Sequence, residues 1–188
     1  MQSYIDVKYV NLISPFLQQF KKKGDFLWNF RCPYCMPRER FGDEHTFLPR
    51  RAFLSFEEIE KVVRACVPLG LDKVRLTGGE PLLRPGLSDL VNRLSDVGVD
   101  VALTTNGSLL SNYAEQLKEN GIDRINVSLD TIDDQKYKKI TRNGKLKNVL
   151  AGIEEAIKYN IKVKINTVAL KNFNENEFLD LIEWSNSK

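Results

Sequence analysis

Val74-Arg75-Leu76-Thr77-Gly78-Gly79-Glu80 is a short apolar run that stops on a glycine pair and an acid. The pattern returns three times. Val101-Ala102-Leu103-Thr104 runs into Asn106-Gly107, Ile125-Asn126-Val127-Ser128 ends at Asp130, and the run from Lys162 to Val168 alternates with period two. β-Branched content with polar or glycine stops reads as strand. Helical periods lie between. Phe56, Ile59, Val62, Val63 and Cys66 form one face, with Ser55 and Glu58 at capping-box spacing. Leu87, Leu90, Val91 and Leu94 form the next, and Tyr113, Ala114 and Leu117 a shorter one. Val149, Leu150, Ile153, Ala156 and Ile157 follow, then Phe178, Leu179 and Ile182 beyond a loop at Asn172–Asn174.

Strand starts lie about 24 to 37 residues apart, each followed by a helix, which makes βαβ units and a parallel sheet. Right-handed crossovers leave two architectures, a barrel or an open doubly wound sheet. Both bind ligands at the C-terminal strand ends. Here those ends are Thr77-Gly78-Gly79-Glu80, Thr104-Thr105-Asn106-Gly107, Ser128-Leu129-Asp130 and Asn166-Thr167. Turn chemistry alone accounts for any one of them. Four at one edge, with Glu80 and Asp130 among them, point to a site.

Working outward, residues 1–28 hold the apolar pieces Tyr9–Leu12 and Phe16–Phe20 and the basic run Lys21-Lys22-Lys23, a solvated surface, with no clean strand before the cysteines. At the other end the chain stops after a helix near Trp184, so a barrel would lack closing strands. The expected division is a divergent segment 1–28 and a core 29–188. The 188 residues are 42% hydrophobic and 28% charged, ordinary for one soluble domain with a real core. A net charge of +3 does not call for nucleic acid or membrane as partner, but suits an anionic small molecule. No run reaches the ~18 apolar residues of a spanning helix, and no signal peptide is evident, so a cytoplasmic protein is expected.

Three cysteines argue against a secreted disulfide framework. Cys66 reads as buried filler in a helix. Cys32-Pro33-Tyr34-Cys35 admits three readings. The first is a redox dithiol like the glutaredoxin tetrapeptide, although Pro37 and Arg38-Glu39-Arg40 follow where a supporting helix should run. The second is half a zinc site, for which only Cys66 and the lone His45 remain, without knuckle spacing. The third is an iron–sulfur cluster.

From Asn29 onward the chain resembles the radical S-adenosylmethionine (SAM) enzymes, and within them the GTP 3′,8-cyclases of molybdenum cofactor biosynthesis. The resemblance rests on Asn29-Phe30-Arg31-Cys32-Pro33-Tyr34-Cys35-Met36-Pro37, Phe47-Leu48-Pro49-Arg50, Leu54–Ile59, Val74–Arg84, Leu103–Gly107, Asp123–Asp130, Ile140-Thr141-Arg142 and Lys162–Asn166, in order over about 160 residues. It implies a partial (β/α) TIM-like barrel of parallel strands. It also implies a [4Fe–4S] cluster and SAM as cofactors, and GTP as substrate. Cys32 and Cys35 would ligate the cluster. Tyr34, Gly79 and Ser128 would bind SAM, and Arg75, Thr104 and Lys164 would face GTP, with no residue given a separate catalytic role.

The chain departs from the family in two places. The family's three cysteines follow a Cys-x-x-x-Cys-x-x-Cys spacing, and position 28 here is Trp28, which cannot ligate iron. A family arginine would fall at Lys21, where nothing around it matches, so its role is not carried over. The family's C-terminal region, with three further cysteines, has no counterpart here. The expectation is therefore a fragment or degenerate copy with impaired activity, self-associating or paired with a complete homologue. A dithiol oxidoreductase and a non-catalytic SAM- or nucleotide-binding module are the alternatives.

Overall fold

The computed structural model describes residues 9–12 (as backbone), 29–35 and 53–188. Trp28, Lys21 and His45 lie outside these. Five parallel strands form one sheet in the order β1-β2-β3-β4-β5: β1 (Tyr9–Leu12), β2 (Lys73–Leu76), β3 (Asp100–Thr105), β4 (Arg124–Ser128) and β5 (Lys162–Asn166). Each strand lies beside the next in sequence, with no reversal of direction across the sheet. A doubly wound sheet needs such a reversal; a barrel wall does not. The order therefore decides for a partial (β/α) barrel.

Among the described residues the α-helices are α1 (Phe56–Cys66), α2 (Leu87–Asp96), α3 (Ala114–Glu119), α4 (Asp134–Thr141), α5 (Leu146–Lys158) and α6 (Phe178–Asn186). Val74, Leu76, Val101, Leu103, Ile125 and Val127 alternate along β2–β4 and are buried in one cluster with Leu90, Leu94, Leu117 and Ile153 of the helices. Period-two alternation thus builds one side of the core and period-3.6 the other. The α1 start is a complete capping box: the Glu58 N–H donates to Ser55 Oγ (3.1 Å) and the Ser55 N–H to Glu58 Oε2 (2.7 Å).

Several expectations change. A strand does precede the cysteines: β1 pairs in parallel with β2, Tyr9 opposite Lys73 and Leu12 opposite Leu76. Four residues carry too little periodicity to announce a strand whose stability comes from a partner 64 positions away. β5 ends at Asn166, not Val168. Thr167 Oγ1 instead donates to the Leu129 carbonyl (2.8 Å), and the Val168 N–H to Asp130 Oδ1 (2.9 Å). Helix α4 went unread because it is mostly polar; its N-cap Asp133 accepts from the Lys136 N–H (2.8 Å). Val62 on α1 is exposed. Helix α6 buries Leu181 and packs Trp184 on the core, leaving Leu179 and Ile182 exposed. Its rotation follows from Glu177 at its N-cap, which accepts from Thr131 Oγ1 and Lys136 Nζ. The loop at Asn172–Asn174 is pinned: fully buried Asn174 donates to the Asp130 and Val168 carbonyls (2.8 and 2.9 Å) and accepts from the Leu170 N–H (2.8 Å). Among the described residues, no helix is long and apolar enough to cross a membrane.

Helix α5 packs tightly at Gly152 against the segment that follows β3. A Cβ there would lie 2.6 Å from the Gly107 carbonyl oxygen and 2.9 Å from Leu110 Cβ. Alanine normally gains about 1 kcal/mol over glycine inside a helix. Here overpacking reverses the sign: Gly152→Ala is expected to destabilise the protein by about 1–3 kcal/mol in urea denaturation.

Candidate functional site

The C-terminal ends of β2–β5 face the cysteine segment across a cavity of about 320 Å³. Gly78 and Gly79 line it from the turn after β2, Thr104 from β3, Ser128 and Asp130 from β4, and Asn166 from β5. Cys32, Tyr34 and Cys35 close it from above. The volume is in the range of small-ligand sites.

Glu80 ties the glycine turn to the neighbouring strand. Its carboxylate is buried, accepting from the Leu82 N–H (3.1 Å), Thr105 Oγ1 (2.6 Å) and the Asn106 N–H (2.7 Å). The chain of bonds continues to the cysteine segment. Asn106 Nδ2 donates to Asn29 Oδ1 (2.7 Å), and Asn29 Nδ2 donates to Ser108 Oγ (2.8 Å). The sequence offered Glu80 and Asn106 only as strand-end residues, and gave no signal for Asn29 as their partner 77 positions away.

Two further ties hold the cysteines. The Arg31 N–H donates to the Thr141 carbonyl at the end of α4 (3.2 Å), and the Tyr34 hydroxyl to Asp130 Oδ2 (2.7 Å). The Cys35 N–H donates to the Cys32 carbonyl (3.1 Å), so a tight turn puts both thiols at the same cavity. Burial, with Asp130 and Cys35 nearby, pushes the Cys32 thiol up to about 11, and burial raises Cys35. Cys66 is half-buried against the core, away from this cavity.

Arg75, Thr104 and Lys164 share one face of the sheet. Arg75 pairs with Ala102, two residues before Thr104; Thr104 pairs with Asn126, and Asn126 with Lys164. Alternation then puts all three opposite the helix-packed side. Thr104 lines the cavity, whereas half-buried Arg75 and exposed Lys164 stand outside its lining.

Tyr137 on α4 is a residue that sequence reasoning missed, since its helix was unread. It lines the cavity and is 2% exposed, yet its hydroxyl has no hydrogen-bond partner among the described residues. Such an orphan costs about 1–3 kcal/mol. Two soft thiol donors and an unfilled hydrogen-bonding group at one cavity fit a sulfur-rich metal group at two of its corners. Among the described residues no set of three or more His, Cys, Asp or Glu could hold a metal ion, and position 28 supplies an indole rather than a thiolate.

The radical SAM superfamily matches residues 29–185. GTP 3′,8-cyclase of Campylobacter jejuni is 44% identical over 181 residues, covering 92% of this chain and 55% of that protein. A 92% share is more than residues 29–188 alone could supply, so the likeness reaches into the N-terminal segment. The chain spans about half the length of the curated relatives it matches. Among solved structures, methylornithine synthase (PylB) has a TM-score of 0.65 at 19% identity, covering 95% of this chain and 50% of that one. Streptococcus suis SuiB bound to S-adenosylmethionine has a TM-score of 0.67 at 19% identity, covering 84% and 35%. These likenesses show the fold.

Glu80 offers a test of the site's electrostatics. Burial raises its pKa above the ordinary carboxylate value, against the three donors that lower it. The protonated form is thus favoured in the fold. Its contribution to stability is full below the unfolded-state pKa of about 4.3 and is lost as pH rises through the raised value. Glu80→Gln is expected to flatten this part of the stability–pH curve, measured by denaturation across pH 4 to 8. It should also cost about 1–3 kcal/mol, because one amide NH₂ would face a donor.

Proposed function

The chain belongs to the radical SAM superfamily, and on that premise we propose that it holds SAM beside an iron–sulfur cluster and presents GTP to the radical chemistry of a GTP 3′,8-cyclase. The observation that supports this most is the docking of Cys32-Pro33-Tyr34-Cys35 over the glycine turn at one cavity, with Arg75, Thr104 and Lys164 on the adjoining sheet face. Curated relatives point the same way: the C. jejuni protein, 44% identical, is itself a GTP 3′,8-cyclase. A [4Fe–4S] cluster held there would supply the single electron for reductive cleavage of SAM, the family's source of radical chemistry on GTP.

The chain's own residues bind and orient. Cys32 and Cys35 would be two of the cluster's thiolate ligands. The bare backbone of Gly78 and Gly79 allows close approach of the SAM amino acid, and a Cβ built at Gly78 would meet nothing within 4 Å. Tyr34 would meet SAM through its backbone while its hydroxyl is held by Asp130, and Ser128 would contribute from the end of β4. The guanidinium of Arg75 and the ammonium of Lys164 match the charge of a triphosphate, and Thr104 adds a hydroxyl between them and the cavity. Glu80 and Asn106 hold the glycine turn and the cysteine segment in register from the wall of the cavity.

The dithiol reading fits less well. A redox cysteine needs a lowered pKa, whereas both thiols here are raised by burial. Thiols that stay protonated at neutral pH are poor nucleophiles but become ligands once a metal displaces the proton.

Anaerobic reconstitution tests the proposal. With two of the family's three thiolates, the chain is expected to take up iron and sulfide below one full cluster, and Trp28→Cys to raise that content. Cys32→Ser and Cys35→Ser should each abolish it. Iron content unchanged by both serine variants would overturn the assignment. Lys164→Ala is expected to weaken GTP binding on the order of tenfold by calorimetry, the loss of one charged hydrogen bond.

A further inference from the structure

We propose that the Tyr137 hydroxyl donates a hydrogen bond to the anionic, sulfur-rich group held at Cys32, as a positioning residue for the cofactor. This rests on the reading that Cys32 and Cys35 hold a cluster. The starting observation is the orphaned hydroxyl. It is buried, and without a partner among the described residues, at the wall of the cofactor cavity. Buried tyrosine hydroxyls ordinarily find one.

The ring cannot turn away to find water. Phe30, two residues before Cys32, packs edge-to-face on it at 6.1 Å and 85°. Gly144 presses on the other edge, where even a Cβ would come within 2.8 Å of Tyr137 Cε1. Thr141 Oγ1 donates to the Tyr137 carbonyl (2.8 Å), locking the end of α4 that also accepts from the Arg31 N–H. The helix that carries Tyr137 and the loop that carries Cys32 are therefore one rigid unit.

Tyr137 and Cys32 line the same cavity, so a group lodged there is what would complete the hydroxyl. Asp130 accepts from the Val168 N–H and the Tyr34 hydroxyl, and Glu80 from Leu82, Thr105 and Asn106, but neither carboxylate takes the Tyr137 hydroxyl. The sulfur of Cys32, or a sulfide bound beside it, is that group. A donor aimed at such a sulfur withdraws charge and favours the reduced state of a cluster.

The experiment compares the chain with Tyr137→Phe, both as they stand and in a Trp28→Cys background, after anaerobic reconstitution. Two readouts apply to loaded protein: the midpoint potential, and the coupling of a deuterium-exchangeable proton to the reduced cluster. Tyr137→Phe is expected to lower the potential and abolish that coupling. In cluster-free protein it should leave the melting temperature unchanged or raised, because it deletes an unpaired group. Loaded proteins with the same potential and coupling would overturn the proposal alone. So would a cluster-free Tyr137→Phe that melts several degrees lower, since the hydroxyl would then have a structural partner. Absence of iron and sulfide from all four proteins would instead overturn the cluster assignment of Cys32 and Cys35, and this proposal with it.

Discussion

One buried carboxylate organises the site. Glu80 gives the glycine turn its shape by accepting from the Leu82 N–H, and fixes that turn to the next strand by accepting from Thr105 and the Asn106 backbone. Taking a carboxyl out of water is costly, and three donors at 2.6–3.1 Å offset that cost only when all are in place. The arrangement is consequently close to all-or-none. Asn106, fixed this way, reaches Asn29, and the cysteine segment inherits its position from the floor of the cavity. Thiols, glycines and strand ends come together through the hydrogen bonds of Glu80, Asn106 and Asn29.

Asp130 does the same on the far side. It gathers Tyr34 from the cysteine segment and Val168 from the end of β5, and its carbonyl accepts from Asn174. The cavity is thus bounded by two acids that make no ion pair with a described residue, each satisfied by neutral donors. The two differ in effect: burial favours the protonated form of Glu80, whereas Asp130 bears on the neighbouring thiol. Burial first, then Asp130, raises Cys32 in the free protein, and a metal bound there would displace the thiol proton.

Much of this was legible in the sequence because parallel βα units are locally encoded. Strands β2–β5 announced themselves by β-branched runs with glycine or polar stops, and the strand-end motifs gave the binding edge. The choice between barrel and open sheet was not legible from residues alone, because strand order is a long-range property; the observed order decided it. β1 was missed for the same reason, having four residues and a partner far away in sequence. Helix α4 was missed because only Tyr137, Ile140 and Thr141 turn inward among charged neighbours. With α4 went Tyr137, a site-wall residue with no motif to mark it. The face of α6 was misassigned because Leu179, Leu181 and Ile182 are equally apolar in sequence, and an anchor at Glu177 selects among them.

The two faces of the sheet have opposite chemistry. The helix side is dry and aliphatic, while the other carries Arg75, Thr104, Asn126, Ser128 and Lys164. A cofactor and an anionic nucleotide lodged against that face would supply the counter-charge and contacts that a second core layer supplies elsewhere. Occupancy and conformational stability then become the same quantity, so the fold's resistance to unfolding would rise with ligand concentration rather than being fixed by the polypeptide.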